Sequence, residues 1–333
     1  VTGTVTRVDG AAERRDGVLR VGTRGSALAV AQTTAVAESI ARATGLDVEL
    51  VTVTTQGDTS RESLADLGGT GVFATALRDA LRADEVDVVV HSLKDLPTAA
   101  APGLVIGAVP KRADARDALC TRDGLTLETL PEGARVGTGS PRRVAQLKSQ
   151  RADLDVVDLR GNVDTRLGRV TEGDLDAVVL AAAGLGRLGR LDAVTDFFPL
   201  SQVPTAPGQG ALALEVRAGD ETGRGPVARA LAAVDHVTSH ACATAEREVL
   251  AGLEAGCAAP IGATALVDDG LLFLTATVYR PDGAERLTAS HAATPDSLSA
   301  RHLDEAAREL GARVVAELLG SGAADLAPLG GAR

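Results

Sequence analysis

Aromatic residues are nearly missing: no Trp, one Tyr and four Phe, 2% of 333 residues. A site of stacked rings, as many single-strand nucleic-acid binders use, is all but excluded. Cysteine is scarce as well. Cys120, Cys242 and Cys257 show no CxxC spacing and cannot all pair, which points to a reducing compartment without a disulfide framework. The five histidines show no metal-ligand spacing, so no metal is expected. Long apolar runs are lacking too. The longest uncharged stretch, Phe197 to Leu214, holds three prolines with Ser, Thr and Gln and does not read as a membrane span. Val1 to Gly17 has scattered charges and no apolar h-region, so no signal peptide is expected and the expected location is the cytoplasm.

What is present reads as a globular chain long enough for two or three domains, 45% hydrophobic and 24% charged. Net charge is −11, a balance that repels a phosphate backbone and an anionic membrane alike, so neither is an expected partner. The sign is uneven. Residues 135–169 carry eight Arg/Lys against four Asp, a local +4, which leaves −15 for the remainder. A basic island in an acidic protein points to a small anionic ligand. Because 31 of the 34 basic residues are Arg, a single arginine means little; arginines at loop-to-helix junctions mean more.

Apolar periodicity alternates between strand and helix over the first two thirds. A strand is expected at Val18–Gly22, then a helix from about Ser26 closed by Gly45, a strand at Asp47–Val53, a helix near Val72–Ala83 and an apolar strand at Val86–Val90. A second α/β set begins near Asp117. It comprises strand Ala134–Gly137, helix Pro141–Arg151, strand Leu154–Asp158, helix Asn162–Glu172 and strand Leu175–Leu180. Continuous apolar strands between helices imply mostly parallel sheets covered on both faces. A Pro/Gly-rich connection over 199–210 leads to a strand-like ALALEV. After about residue 235 the pattern becomes helix (238–253), two strands (260–267 and 271–279) and a final helix (297–319), a separate α+β domain.

Gly184 to Gly189 matches GxGxxG, but no acid stands about 20 residues on to hold a ribose hydroxyl, so the dinucleotide fingerprint is rejected as chance plus helix termination. No GK[ST] follows any glycine-rich turn. Three junctions share another design: Thr23-Arg24-Gly25-Ser26, Thr138-Gly139-Ser140-Pro141-Arg142-Arg143, and Leu159-Arg160-Gly161-Asn162 with Arg166 one turn further. Each offers free backbone N–H groups at a helix start beside guanidinium groups, a receptor for carboxylate or phosphate. One such junction would read as ordinary capping; three in one α/β fold favour anion binding. Lys94 and Asp95 follow the apolar strand, where open α/β sheets place ligands, although spacing alone leaves a surface ion pair equally open. His91 reads as structural. Cys257 sits in a Gly/Ala loop and is more accessible than Cys242 or Cys120, yet the inert reading leads for all three.

Eight segments in order then carry a resemblance: TRGSALA (23–29), GGTGVF (68–73), HSLKDLPT (91–98), GTGSPRR (137–143), LRGNVDTRL (159–167), LAAAGLGRLG (180–189), PGQGALALE (207–215) and GCAAPIGA (256–263). From about Leu19 to Leu319 the chain resembles the hydroxymethylbilane synthases, also called porphobilinogen deaminases. The resemblance implies a transferase of tetrapyrrole and haem biosynthesis. Such an enzyme condenses four porphobilinogens head to tail on a covalent dipyrromethane primer, loses ammonia at each addition, and releases the linear tetrapyrrole by hydrolysis. It implies Cys257 as the thioether attachment point and Asp95 as the catalytic carboxylate. It implies Lys94, Thr138, Ser140, Arg142, Arg143 and Arg160 against the cofactor, and Arg24, Ser26, Arg166, Arg187 and Gln209 against the substrate chain. The implied fold is α/β: two periplasmic-binding-protein-like (type II) domains plus a smaller α+β C-terminal domain. The implied bounds are 18–112 with 211–230, then 113–210, then 235–320, with 1–17 and 321–333 as flexible tails. Porphobilinogen is the implied substrate, and the product passes to the next tetrapyrrole-pathway enzyme. A monomer is expected.

Two departures stand out. Many members carry lysines in and before the GGxGxF segment, where this chain has Asp66 and Thr70. Gly139 and Pro141 replace the Ser and Leu of the usual GTSSLRR, a change the first helical turn accommodates. A non-enzymatic solute receptor would also explain the Pro/Gly-rich connection, read as a hinge, and the arginines. It would need neither Cys257 nor Asp95 and would be expected to carry a signal peptide. A catalytically dead relative is disfavoured because the key positions are occupied.

Overall fold

The structure is a computed structural model of the chain that describes residues 2–9, 13–53, 71–255 and 259–329. In chain order, β1 (Val5–Asp9) and β2 (Val18–Arg24) lead to α1 (Ala27–Thr44), β3 (Asp47–Val53), α2 (Gly71–Arg82), β4 (Val88–Ser92) and β5 (Leu104–Ala108). There follow β6 (Asp117–Thr121), β7 (Arg135–Gly137), α3 (Pro141–Gln150), β8 (Asp155–Val157), α4 (Val163–Thr171), β9 (Ala177–Ala181), α5 (Ala182–Arg187) and β10 (Asp196–Phe197). The chain continues through β11 (Leu212–Arg217), α6 (Pro226–Val234), α7 (Val237–Gly252), β12 (Ile261–Asp268), β13 (Leu271–Tyr279) and β14 (Arg286–Ala293). It closes with α8 (Ala300–Gly320) and α9 (Ala323–Leu326). Two units result: Val1–Arg112 with Ala211–His240, and Ala113–Gly210 with Ala241–Arg333. The fold class is the α/β one expected, two mixed sheets with helices plus a small antiparallel sheet.

The first unit is built on a six-stranded sheet in the order β1-β3-β2-β4-β11-β5, parallel except where β11 pairs with β4 and β5. Strand periodicity divides its core. Val88 and Val90 face one way with Leu19, Val21, Leu50 and Leu214, under Val36, Ile40 and Ala41 of α1. Val89 faces the other way with Val51 and Val86, under Leu77 and Leu81 of α2. Helix α1 begins and ends as its residues dictate: the Ser26 hydroxyl accepts from the Ala29 N–H, and Gly45 at φ 72° turns the chain out. The strand expected at Val86–Val90 starts two residues later. Asp87 is held back by Arg20, whose backbone N–H, Nε and Nη2 all reach its carboxylate.

The flexible tail expected over 1–17 instead contains β1, paired in parallel with β3. Its V-T-R-V-D alternation supplies an edge strand that a charge count alone reads as a tail. The tail expected over 321–333 contains α9, with Ala323 and Ala327 buried.

The second unit holds a five-stranded sheet, β10-β6-β9-β7-β8, and a three-stranded antiparallel sheet, β12-β13-β14. Strand β14 was not expected. Its small and polar residues give no apolar signal, and it forms because α8 covers the sheet. Leu303, Leu310, Val314 and Leu318 of α8 and Leu272 and Leu274 of β13 are essentially fully buried. In the GxGxxG segment, α5 ends at Arg187 and Gly189 takes φ 66°, so helix termination accounts for the match.

Candidate functional site

In the first unit the edge at which open α/β sheets place ligands is formed by the C-terminal ends of β2 and β4. Chain reversal at β4 is tight. Leu93 and Leu96 are 1% and 2% exposed, and the single 3-10 turn between them projects Lys94 half-buried and Asp95 exposed. Two backbone bonds fix that turn: the Leu96 N–H donates to Leu93 O at 3.2 Å, and the Leu93 N–H to Ala211 O at 3.1 Å. Among the described residues, no hydrogen bond or ion pair engages the Asp95 carboxylate. Arg24 ends β2 half-buried, and Ser26 spends its hydroxyl on the α1 cap.

Beneath this edge is a buried acid that sequence reasoning missed. Glu215 on β11 receives Arg78 through Nε and Nη2 at 2.9–3.1 Å and lies 3.1 Å from His91 Nε2. Burial alone would raise the Glu215 carboxyl; the bonds from His91 and Arg78 overcome it and hold the carboxyl below its usual range. His91 is therefore structural, as expected.

In the second unit the Ser140 hydroxyl caps α3 by accepting from the Arg143 N–H at 3.5 Å, with Pro141 in the first turn. Thr138 is buried, and its hydroxyl accepts from the Ser140 N–H at 3.3 Å. Arg142 and Arg143 do not lie on the surface. They are 3% and 7% exposed and converge on Asp117, itself 1% exposed at the start of β6. Arg143 donates from Nε (3.0 Å) and Nη2 (2.6 Å) to Asp117 Oδ1 and from Nη1 to Val179 O (3.0 Å). Arg142 Nη1 stands 2.8 Å from Asp117 Oδ2 and donates to Gln146 Oε1 at 2.6 Å. Gln209 donates to Asp117 Oδ1 and to Ala115 O, both at 2.8 Å. Burial pushes the Asp117 carboxyl up, yet the two guanidinium charges with the Arg143 and Gln209 bonds hold it far below its usual range.

Around this buried group the positive charge is less satisfied. Asn162 caps α4 by accepting from the Thr165 N–H at 2.8 Å. Arg166, one turn in, spends Nε on Gly161 O at 2.7 Å. Arg166 is pulled below its usual pKa by burial, then by the charges of Arg143 and Arg160, against the opposing pull of Asp158. Arg160 is exposed and only loosely paired with Asp158, at 3.4 Å. Arg187 donates to Gly210 O at 2.8 Å, and burial lowers it too. Arg142 Nε is buried with no partner among the described residues. The structure thus brings Arg142, Arg143 and Gln209 onto one acid, with Arg160 and Arg166 in the same field. Guanidinium donors left over in mutual repulsion have the chemistry to receive carboxylates.

Cys120 and Cys242 are buried, and burial pushes the Cys120 thiol up to about 11. Both suit the inert role expected. Cys257 lies outside the described residues, as do Asp66 and Thr70. The two acids Asp117 and Glu215 left no local signal, since each meets its arginines, carried on α3 and α2, only when those helices pack on the sheets.

Residues 19–224 match the family model described as "Porphobilinogen deaminase, dipyromethane cofactor binding domain", and residues 240–320 match "Porphobilinogen deaminase, C-terminal domain". The chain is similar to the porphobilinogen deaminase of Leifsonia xyli subsp. xyli, at 80% identity covering 98% of this chain and 99% of that one. It is also similar to that of Thermobifida fusca, at 54% identity covering 91% and 94%. Among solved structures, the periplasmic VFT2 domain of Bordetella pertussis BvgS aligns at 15% identity with a TM-score of 0.37, covering 66% of this chain and 86% of that one. A likeness that distant says nothing of function.

Proposed function

The chain belongs to the porphobilinogen deaminase family, a transferase of tetrapyrrole biosynthesis with a dipyrromethane cofactor, and from that premise we propose which of its residues do the work. The observation that carries the reading is the crowding of Arg143, Arg160 and Arg166 around too few acids. Each pyrrole ring of dipyrromethane bears an acetate and a propionate, and the orphaned Arg142 Nε with the depressed Arg166 fits such a group. When bound, the cofactor supplies the free pyrrole carbon onto which the first porphobilinogen is joined.

We propose that Lys94, Thr138, Ser140, Arg142, Arg143 and Arg160 hold its carboxylates and that Cys257 carries it by a thioether. Arg24, Ser26, Arg166, Arg187 and Gln209 hold the growing chain. Asp95 then acts where positive charge develops. Loss of ammonia from porphobilinogen leaves a cation shared with the ring nitrogen, and a carboxylate accepting from that N–H stabilises it. The same oxygen takes up the proton shed when the new carbon–carbon bond restores the aromatic ring. Two buried leucines and two backbone bonds hold Asp95 in place, so little reorganisation accompanies the charge.

Porphobilinogen is the substrate. The finer reading is four additions, hydrolytic release of hydroxymethylbilane and its transfer to the next pathway enzyme. It also includes a monomer working in the cytoplasm and three domains, 18–112 with 211–230, 113–210 and 235–320. No helix among the described residues is long and apolar enough to cross a membrane.

Intact mass of the denatured protein tests the attachment. The adduct expected equals two porphobilinogens less two ammonia. Cys257→Ser should remove adduct and activity together, while Cys120→Ser and Cys242→Ser keep both. An adduct that persists without Cys257 would sink the assignment.

A further inference from the structure

Asp117 stands at the first residue of β6, which runs antiparallel to β9, pairing Asp117 with Ala181. Since β9 is parallel to β7, the reversed strand brings its opening residue to the edge where the C-terminal ends of β7 and β9 lie. An acid is thereby delivered to the face from which α3 starts. Its two oxygens are used unequally, Oδ2 being buried in an ion pair but without a hydrogen-bond partner among the described residues. Oδ1 takes the Nε and Nη2 fork of Arg143 and the Gln209 amide, and Oδ2 faces Arg142 Nη1 at 2.8 Å. The same nitrogen of Arg142 is tied to α3 as well. Gln146 Oε1 accepts from its Nη1, and Gln146 Nε2 donates to Pro204 O at 2.7 Å and reaches the Tyr279 hydroxyl at 3.3 Å.

Two adjacent buried guanidinium groups repel each other and would turn toward solvent without an acid between them. We propose that Asp117 is the positioning residue of the carboxylate site, its two oxygens setting where Arg142 and Arg143 present their remaining donors. The inference rests on the reading that these arginines bind pyrrole carboxylates. Asp117 itself is a positioning residue and makes no contact with the ligand. It leaves the Arg142–Arg143–Asp117 group with one net positive charge in a fixed direction rather than two mobile ones. A guanidinium rotated by one rotamer loses the two-pronged geometry even if its charge stays close.

The experiment uses the full-length chain with Asp117→Asn, which removes the charge, and Asp117→Glu, which keeps the charge but displaces it by one methylene. Arg143→Leu serves as the reference. Each variant is loaded with hydroxymethylbilane, its adduct is weighed, its melting is followed, and KM and kcat for porphobilinogen are measured separately. Positioning predicts a KM raised about tenfold or more in Asp117→Asn, with kcat per loaded molecule within about threefold of the parent and weaker retention of the adduct. Asp117→Glu should shift KM in the same direction by less. A merely structural acid would lower the folded fraction, and with it the apparent kcat, while KM stayed parental. That result in either variant overturns the proposal. Should Asp117→Asn fail to fold, Asp117→Glu decides, because it preserves the charge balance. Arg143→Leu separates the two levels. If it leaves KM and adduct retention unchanged, the arginine reading has failed; if it raises KM while Asp117→Glu does not, only the role of Asp117 has.

Discussion

Asp95 and Asp117 are aspartates placed alike, each at the ligand edge of a mixed sheet, one in each unit, and their surroundings are opposite. Asp95 is exposed, and no cation engages it among the described residues. Asp117 is 1% exposed, with two arginines and an amide closing around it. The same side chain, in one case after a strand end and in the other at the start of a reversed strand, therefore does different work. An acid left unpaired on a fixed turn can answer a charge that appears only during reaction, whereas one already ion-paired with two guanidinium groups is suited to orienting them. The local excess is also opposite in sign: an unengaged acid at Asp95, and around Asp117 and Asp158 the four guanidinium groups of Arg142, Arg143, Arg160 and Arg166.

The largest effect that would sharpen this contrast is on Asp95. Asp95→Asn is nearly isosteric, and among the described residues no bond of the fold depends on the carboxylate, so the protein should fold and still accept hydroxymethylbilane as a preformed cofactor source. Each further addition must create and quench a cation. Turnover by the loaded variant should fall by a factor on the order of 10²–10⁴, with KM close to parental. Near-parental turnover after the adduct is confirmed by mass would make Asp95 a structural acid and erase the contrast.

A smaller effect is expected where charge binds rather than reacts. Arg160 is exposed and only loosely held by Asp158, so its loss should not disturb the fold. Arg160→Leu should raise KM roughly ten- to hundredfold, from the ~1.5–3 kcal/mol of a hydrogen bond to a charged group, with kcat little changed. Arg160→Lys keeps the charge without the planar fork and should recover only part of the loss. If both variants match the parent in KM and adduct retention, the basic island is solvated surface.

How much of this contrast could be read from the chain depends on the range of the contacts. Local chemistry was legible. Ser26, Ser140 and Asn162 cap the helices that open at the three junctions, Gly45 ends α1, and Asp47–Val53 is a strand to the residue. Asp95 falls at the expected end of an apolar strand because strand and turn are adjacent in sequence. The burial of Arg142 and Arg143 was not legible. Their acid lies 26 residues from Arg143, on a strand whose antiparallel direction no periodicity reveals. Glu215 was hidden for the same reason, 124 residues from His91 and brought to it only by β11 joining β4. Strands β1 and β14 went unseen because neither is apolar; packing partners make them strands.

The smallest effect tests the floor under Asp95 rather than the aspartate itself. Glu215 is buried against Arg78 and His91 and titrates below its usual range in the folded chain. A carboxyl whose folded pKa is depressed binds fewer protons when folded than when unfolded. Its stabilisation is therefore complete above the unfolded pKa, about 4.3 for Glu, and is lost as pH falls through the lower folded value. Glu215→Gln removes that dependence and leaves Arg78 and His91 without their acid. At neutral pH the variant should melt a few degrees below the parent. On acidification the parent should lose its advantage, so that the two melting curves converge well below pH ~4. Because the turn bearing Asp95 is also tied by backbone bonds to β11, the neutral-pH deficit should not bring a loss of turnover comparable to Asp95→Asn. A melting difference that stays constant from neutral to acid pH would mean that the Glu215 carboxylate contributes shape and not charge. The buried acid of the first unit would then no longer parallel the charge-fixed Asp117 of the second.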